Sequence, residues 1–190
     1  MRPADAALRS ALDAITNDRV LLKDHVPRIA KLAAPYPHMI EPHPVDHRPG
    51  FNCFAFAFGL WDQAGYVRVA AAEHRAGENR FFANSAFAGA LVRAGALIPI
   101  CRRDLDAGDL VLYGDPGKPV HAARVLNASR MRSKWGRGHL YDHDLWAVPG
   151  RYGHTVRFYR AASDVPFLTW FERIVRAHPA WPDFAAAHLA

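Results

Sequence analysis

The residues of this sequence best suited to chemistry are Asn52 and Cys53, in the run Gly50-Phe51-Asn52-Cys53-Phe54-Ala55-Phe56-Ala57-Phe58-Gly59. Asparagine is a favoured N-cap, so the run predicts a helix that starts at Cys53 and stops near Gly59 or Gly65. A thiol on the first helical residue lies among backbone N–H groups that the helix leaves without partners. Those amides and the helix dipole favour an anion. They predict a depressed Cys53 pKa, a nucleophilic thiolate and donors for a developing oxyanion. The bland alternative is a small core side chain, because unpaired cysteine is among the most buried residue types.

A base for such a thiol lies downstream. Asp106-Ala107-Gly108-Asp109-Leu110-Val111-Leu112-Tyr113 leads through a turn into Val120-His121-Ala122-Ala123-Arg124-Val125. Strand alternation puts His121 on one face with Ala123 and Val125, pointing toward packed structure or a cleft. A helix-borne thiol and a sheet-borne imidazole together supply the nucleophile and general base of acyl transfer. A buried core histidine would show the same pattern.

Asn52-Cys53 at a helix start, then Ala107 to Tyr113, then His121, resembles the papain-like peptidases and amidases of the NlpC and CHAP type. The resemblance covers roughly Phe51 to Tyr159, with Ala107 standing where those enzymes carry the proline of a Pro-Gly-Asp motif. It is closer still to a branch marked by Ser133-Lys134-Trp135-Gly136, His143, Tyr152-Gly153 and Val156-Arg157-Phe158-Tyr159. The resemblance implies Cys53 as nucleophile, His121 as base, and the Cys53 backbone N–H as oxyanion donor. Asn52 either adds a side-chain donor there or caps the helix. The residue that orients the imidazole falls near Ser133, whose face is shared by Met131 and Trp135, with His143, Asp144 and Asn127 as competitors. Trp135 and His143 are candidate cleft residues, with core anchoring by Trp135 and Trp146 as the alternative.

The elements that must position these groups follow from periodicity. Residues 3–15 predict an amphipathic helix with Ala7, Leu8, Leu12 and Ile15 on one side, and Val20 to Ala34 a second one interrupted at Pro27. Pro35 to Pro49 predict an irregular segment bordering the site, and Arg80 to Ala94 a helix stopped by Gly95, with Phe81, Phe82, Phe87 and Leu91 buried. Strands are predicted over Asp109 to Tyr113, Val120 to Leu126, Arg130 to Trp135 and Thr155 to Tyr159, joined antiparallel by turns at Gly114-Asp115-Pro116-Gly117 and Asn127-Ala128-Ser129. Lys134 to His143 reads as a glycine-hinged loop over a cleft walled by Trp135, Tyr141 and Trp146. Phe167, Trp170, Phe171, Ile174 and Val175 form a helical stripe that docks on the domain. The expected fold is α+β and papain-like, with N-terminal helices first, including the Cys-bearing one, then an antiparallel sheet and a C-terminal helix. Its core spans 51–160, between an N-terminal helical and Pro/His-rich extension (1–50) and a C-terminal helical extension (161–190).

With 190 residues, 51% of them hydrophobic, the chain suits one core rather than two domains. Cys53 and Cys101 are the only cysteines, which excludes a disulfide-rich scaffold. The formal charge of +6 raises the question of nucleic acid, with Arg130, Arg132, Lys134 and Arg137 the densest basic stretch, but no stacking module or helix-turn-helix pattern accompanies it. His38, His43, Asp46 and His47 are clustered but Pro42 and Pro44 oppose a regular helix there, His139 and His143 are four apart with nothing else to support them, and no two-cysteine pair points to zinc, so no metal or organic cofactor is expected. No apolar run reaches spanning length and the N-terminal segment carries charges throughout, so cytoplasmic residence is expected, or export without a Sec signal. Three readings result. One is a thiol hydrolase or acyltransferase acting on peptide, amide or peptidoglycan-like bonds. Another is a noncatalytic papain-like module, binding anions through Arg130, Arg132 and Lys134. The third is a hydrolase effector or toxin domain.

Overall fold

One antiparallel sheet organises the computed structural model, which describes residues 3–17, 19–35, 38–43, 51–78, 80–115, 118–136, 138–162 and 165–189. Its strands are β1 (Ile40–His43), β2 (Leu97–Ile100), β3 (Leu110–Asp115), β4 (Lys118–Val125), β5 (Arg130–Lys134), β6 (Leu140–Asp144) and β7 (Val156–Ala161). They lie in the order β1-β6-β5-β4-β3-β7-β2. Few residues separate β3 from β4 and β4 from β5 in the chain, and these neighbours in sequence are neighbours in the sheet. At the β4–β5 turn the Asn127 side chain accepts from the N–H groups of Ser129 and Arg130, which is the local bond that makes asparagine a turn residue.

Each face of the sheet buries its own core. Val111, Tyr113, Ala123, Val125, Met131, Trp135 and Tyr141 pack under α1 (Pro3–Ile15) and α2 (Leu22–Ala33), whose Leu8, Leu12 and Ile29 are buried against them. Leu110, Leu112, Ala122 and Tyr159 face the other way, toward α3 (Cys53–Ala57), α4 (Ala64–Ala76), α5 (Ser85–Arg93), α6 (Phe167–Arg176) and α7 (Trp181–His188). The aromatic residues of the C-terminal stripe seal this second core. Phe171 lies edge-on to Tyr66 at 4.9 Å and to Phe87 at 5.8 Å. The result is an α+β fold in which N- and C-terminal helices flank a multi-stranded antiparallel sheet.

Several elements differ from expectation for identifiable reasons. On α1, Ala7 is exposed, whereas Arg9 is buried and donates from Nη2 to the carbonyls of Gly150 and Gly153. Pro27 lies inside α2 without interrupting it, early enough that only one first-turn carbonyl loses its partner. The segment expected to be irregular holds β1, whose Pro42 is tolerated because β1 is an edge strand. Helix α5 starts at Ser85 under an Asn84 cap rather than at Arg80, while Phe81 is buried before it and Phe82 only partly so. Strands β1 and β2 fall among the helices, so helices do not simply precede the sheet. The proposed loop over Lys134 to His143 contains β6, and Trp135 and Tyr141 stack at 4.3 Å in the core instead of walling a cleft. Among the described residues, no helix is long and apolar enough to cross a membrane.

Candidate functional site

Asn52 is the N-cap of α3. Its Oδ1 accepts from the Ala55 N–H at 2.9 Å, and its Nδ2 donates to the buried Ala83 carbonyl at 2.7 Å. Both ends of the amide are therefore engaged, and Asn52 is a clamp between α3 and the segment before α5. Cys53 follows on the first helical position, partly exposed at the margin of the second core. Helix α3 ends at Gly59 with φ 65°, as its sequence predicts.

The thiol is not depressed. Burial is the largest influence and pushes Cys53 up to about 11. Acting downward, in order, are the backbone N–H of Ala122, those of Phe54 and Cys53 itself, and the charge of Lys134. A five-residue helix carries little dipole, and desolvation of a thiolate outweighs it. The expected donors do surround the sulfur, but at rest they surround a neutral S–H.

Ala122 and Lys134 mark where this happens in the sheet. Strand β4 pairs with β5 through Arg124↔Arg132 and Val125↔Met131; beyond these pairs the two strands separate, and α3 packs against both. Arg124 fastens the helix there, donating from Nε to the Ala57 carbonyl at 2.9 Å. Lys134 is 97% out of solvent, with its ammonium 4.6 Å from the Phe51 ring centroid and donating to the Gly138 carbonyl at 2.6 Å.

His121 sits beside Ala122 on the opposite face, with Ala123 and Val125 as alternation predicts. Its ring is fully buried and lies face to face with Tyr152, centroids 3.7 Å apart and planes 2° from parallel; Tyr113 stands 5.4 Å away. Neither ring nitrogen has a hydrogen-bond partner among the described residues, so no bond joins His121 to Cys53. Burial lowers the imidazole pKa well below its ordinary value, and the charges of His143 and Arg151 act the same way. His121 is thus a neutral base with one bare lone pair.

The residues expected to orient it are engaged elsewhere. The His143 Nδ1–H donates to the Asp144 carbonyl at 2.9 Å, which leaves Nε2 to accept the Ser133 hydroxyl at 2.8 Å; Ser133 Oγ in turn accepts the Trp135 indole N–H at 2.9 Å. This directional chain is buried throughout, and burial lowers His143 to about 4. Ser133 therefore serves His143 and Trp135, not His121, and neither Trp135 nor His143 lines an open cleft. Asp144 pairs with Arg130, and Asn127 is spent on its turn.

Two arginines of the basic stretch are paired with carboxylates. Arg132 makes a two-pronged pair with Asp142, and Arg130 contacts Asp144 and Glu41. Two of the three residues considered for anion binding, Arg130 and Arg132, thus already hold carboxylates of the same chain. Among the described residues no group of three His, Cys, Asp or Glu side chains comes together, and Asp46, His47 and Arg137 lie outside the described residues. Two surface depressions, one lined by Arg9, Asp13 and His154 and one by Phe81, Phe82 and Arg93, do not include Cys53.

Comparison with known proteins places this arrangement within a family. Residues 45–160, more than half of the chain and including Cys53, His121, Ser133, His143 and Tyr152, match a domain of unknown function, DUF7689. The chain belongs to the DUF7689 family. No curated protein and no solved structure matches it. What this DUF7689 member's sequence left without a role is Tyr152, which only the stack on His121 brings into the site, and Arg9, a charged residue on a helix face that otherwise reads as apolar.

Proposed function

We propose that this DUF7689 protein is a papain-like thiol hydrolase that cleaves amide or peptide bonds through an acyl-enzyme on Cys53, with His121 as its base. One observation carries the reading: at the place where β4 leaves β5, a helix-start thiol lies against the Ala122 amide. The adjacent residue is a neutral buried imidazole with both nitrogens uncommitted. No β5 residue pairs with β4 there, and on this reading the Cys53 side chain rotates to bring its sulfur to the imidazole.

In the reaction the bare His121 nitrogen takes the S–H proton as sulfur adds to the substrate carbonyl. The N–H groups of Cys53 and Phe54, which already face the sulfur, receive the oxyanion. The imidazolium then protonates the amine as the C–N bond breaks, leaving a thioester. Water, deprotonated by His121, attacks the thioester, releases the acid and restores the thiol. An amine or alcohol in place of water gives acyl transfer by the same steps. The expected substrate is a peptide, amide or peptidoglycan-like linkage.

A second reading, a noncatalytic papain-like module, is favoured by the raised thiol pKa and the unbonded His121. The two separate on incubation with an activated acyl ester, p-nitrophenyl acetate, followed by peptide mass spectrometry. The hydrolase yields an acyl adduct on Cys53 that is lost in Cys53→Ala and strongly slowed in His121→Ala. No adduct, or one indifferent to His121, would establish the module.

A further inference from the structure

Papain-like chemistry needs an imidazole held in one plane, and the polar residues suited to holding His121 are occupied. We infer that Tyr152 is the positioning residue of the site, fixing His121 by a face-to-face stack in place of a hydrogen bond. The inference rests on the hydrolase reading and deepens it.

Centroids 3.7 Å apart with planes 2° from parallel leave no room for the imidazole to turn about its Cβ–Cγ bond unless Tyr152 retreats. A stack constrains the ring plane while occupying neither nitrogen. That accounts for an otherwise costly feature, a fully buried histidine with both nitrogens unpartnered. A hydrogen-bonded third residue would have consumed one of them. Burial raises the Tyr152 phenol well above its usual range, so the ring that covers the imidazole is a neutral one.

Tyr152 is itself held firmly. It ends a 3-10 turn, Gly150–Tyr152, whose backbone is gripped by α1. Arg9 donates to the carbonyls of Gly150 and Gly153, and Asp13 accepts the Arg151 N–H at 3.0 Å. On the far side Gly153, at φ 89°, lies so close to Gly114 that an added Cβ would come within 2.9 Å of its Cα. Gly114 follows Tyr113, the cross-strand partner of His121. The turn that carries Tyr152 and the strand pair that carries His121 are thus locked together, which gives the buried Arg9 a function beyond packing.

The test uses the full chain as wild type, Tyr152→Phe and Tyr152→Leu, with two readouts. The first is the NMR spectrum of the His121 ring, assigned by its loss in His121→Gln. The second is the pH profile of Cys53 acylation by p-nitrophenyl acetate. In wild type and Tyr152→Phe the His121 ring protons are expected upfield, in the shielding region over an aromatic face, with acylation rates within about threefold of each other. In Tyr152→Leu they return toward free imidazole, the His121 pKa rises, and acylation falls about tenfold or more, as loss of orientation demands. A Leu variant that acylates as wild type, or a wild-type His121 without upfield shift, overturns the inference. If no variant acylates, the hydrolase reading fails. The stacking is then judged by the spectra alone, and an unchanged His121 spectrum in Tyr152→Leu overturns it too.

Discussion

Replacing Asn52 by alanine removes two bonds at once, and their sum can be worked from the structure. Loss of an N-cap costs about 1 kcal/mol. Loss of the Nδ2 donor strands the Ala83 carbonyl, on a residue with no exposed surface, at about 1–3 kcal/mol. Together these give about 2–4 kcal/mol, which for a chain of this size lowers Tm by roughly 10 °C. Two further variants separate the parts. Asn52→Ser keeps the cap and loses only the Ala83 bond. Asn52→Asp keeps the acceptor for Ala55 but turns a carboxylate oxygen toward the Ala83 carbonyl, so it should be no more stable than Asn52→Ala despite being an equally good cap. Urea unfolding followed by far-ultraviolet circular dichroism measures all three. An Asn52→Ala variant within about 0.5 kcal/mol of wild type, or an Asn52→Asp variant as stable as wild type, would refute the claim that this amide is a two-ended clamp.

Gly114→Ala combines a φ of 115° with a Cβ 2.9 Å from the Val120 nitrogen, at the register shift next to Tyr113, and is expected to destabilise by at least about 2 kcal/mol; thermal unfolding checks it, and a neutral result would contradict the close β3–β4 approach. Ser133→Ala leaves the Trp135 N–H and His143 Nε2 without partners and should cost about 2–6 kcal/mol at about 1–3 each, read by the shift in urea midpoint. His121 and His143 are held neutral, with folded pKa values below the unfolded value of about 6.5. The unfolded chain then binds more protons below that value, so stability is complete above it and falls as pH drops. With two groups the loss is about 3 kcal/mol per pH unit until His143 itself titrates near 4. A urea midpoint unchanged between pH 7 and pH 5 would contradict their burial as neutral rings.

Much of the fold was legible in sequence because local chemistry and tertiary packing agree. The Asn52 cap, the Gly59 stop and strands β3, β4, β5 and β7 all follow from residue type and period. Strand β6 escaped because Asp142 and Asp144 occupy one of its faces, and their polarity is explained only by Arg132 and Arg130 on the neighbouring strand. Strand β1 was masked by Pro42, which only an edge position permits. Helix α4 lacks a pronounced apolar stripe, being rich in alanine, so periodicity gave it little signal. In the site, the positions of Cys53 and His121 on their elements were readable, but the thiol pKa was not. Its sign depends on how much protein surrounds the sulfur, and that follows from α3 packing into the opening between β4 and β5. The pairing of Ser133 with His143, and of His121 with Tyr152, depends on contacts between residues distant in sequence that alternation alone cannot choose among.

The most direct test of a Cys53 thiol that is neutral at rest and activated by His121 is to compare two reactions of Cys53 across pH 6 to 10. Iodoacetamide alkylation reads the thiolate already present, whereas acylation by p-nitrophenyl acetate draws on the base. With the thiol pKa near 11, alkylation of Cys53 should be slow at neutral pH and rise about tenfold per pH unit. Acylation should instead proceed at pH 7 in wild type and collapse onto the alkylation profile in His121→Ala. Acylation that follows alkylation in wild type at every pH would contradict a role for His121 as base.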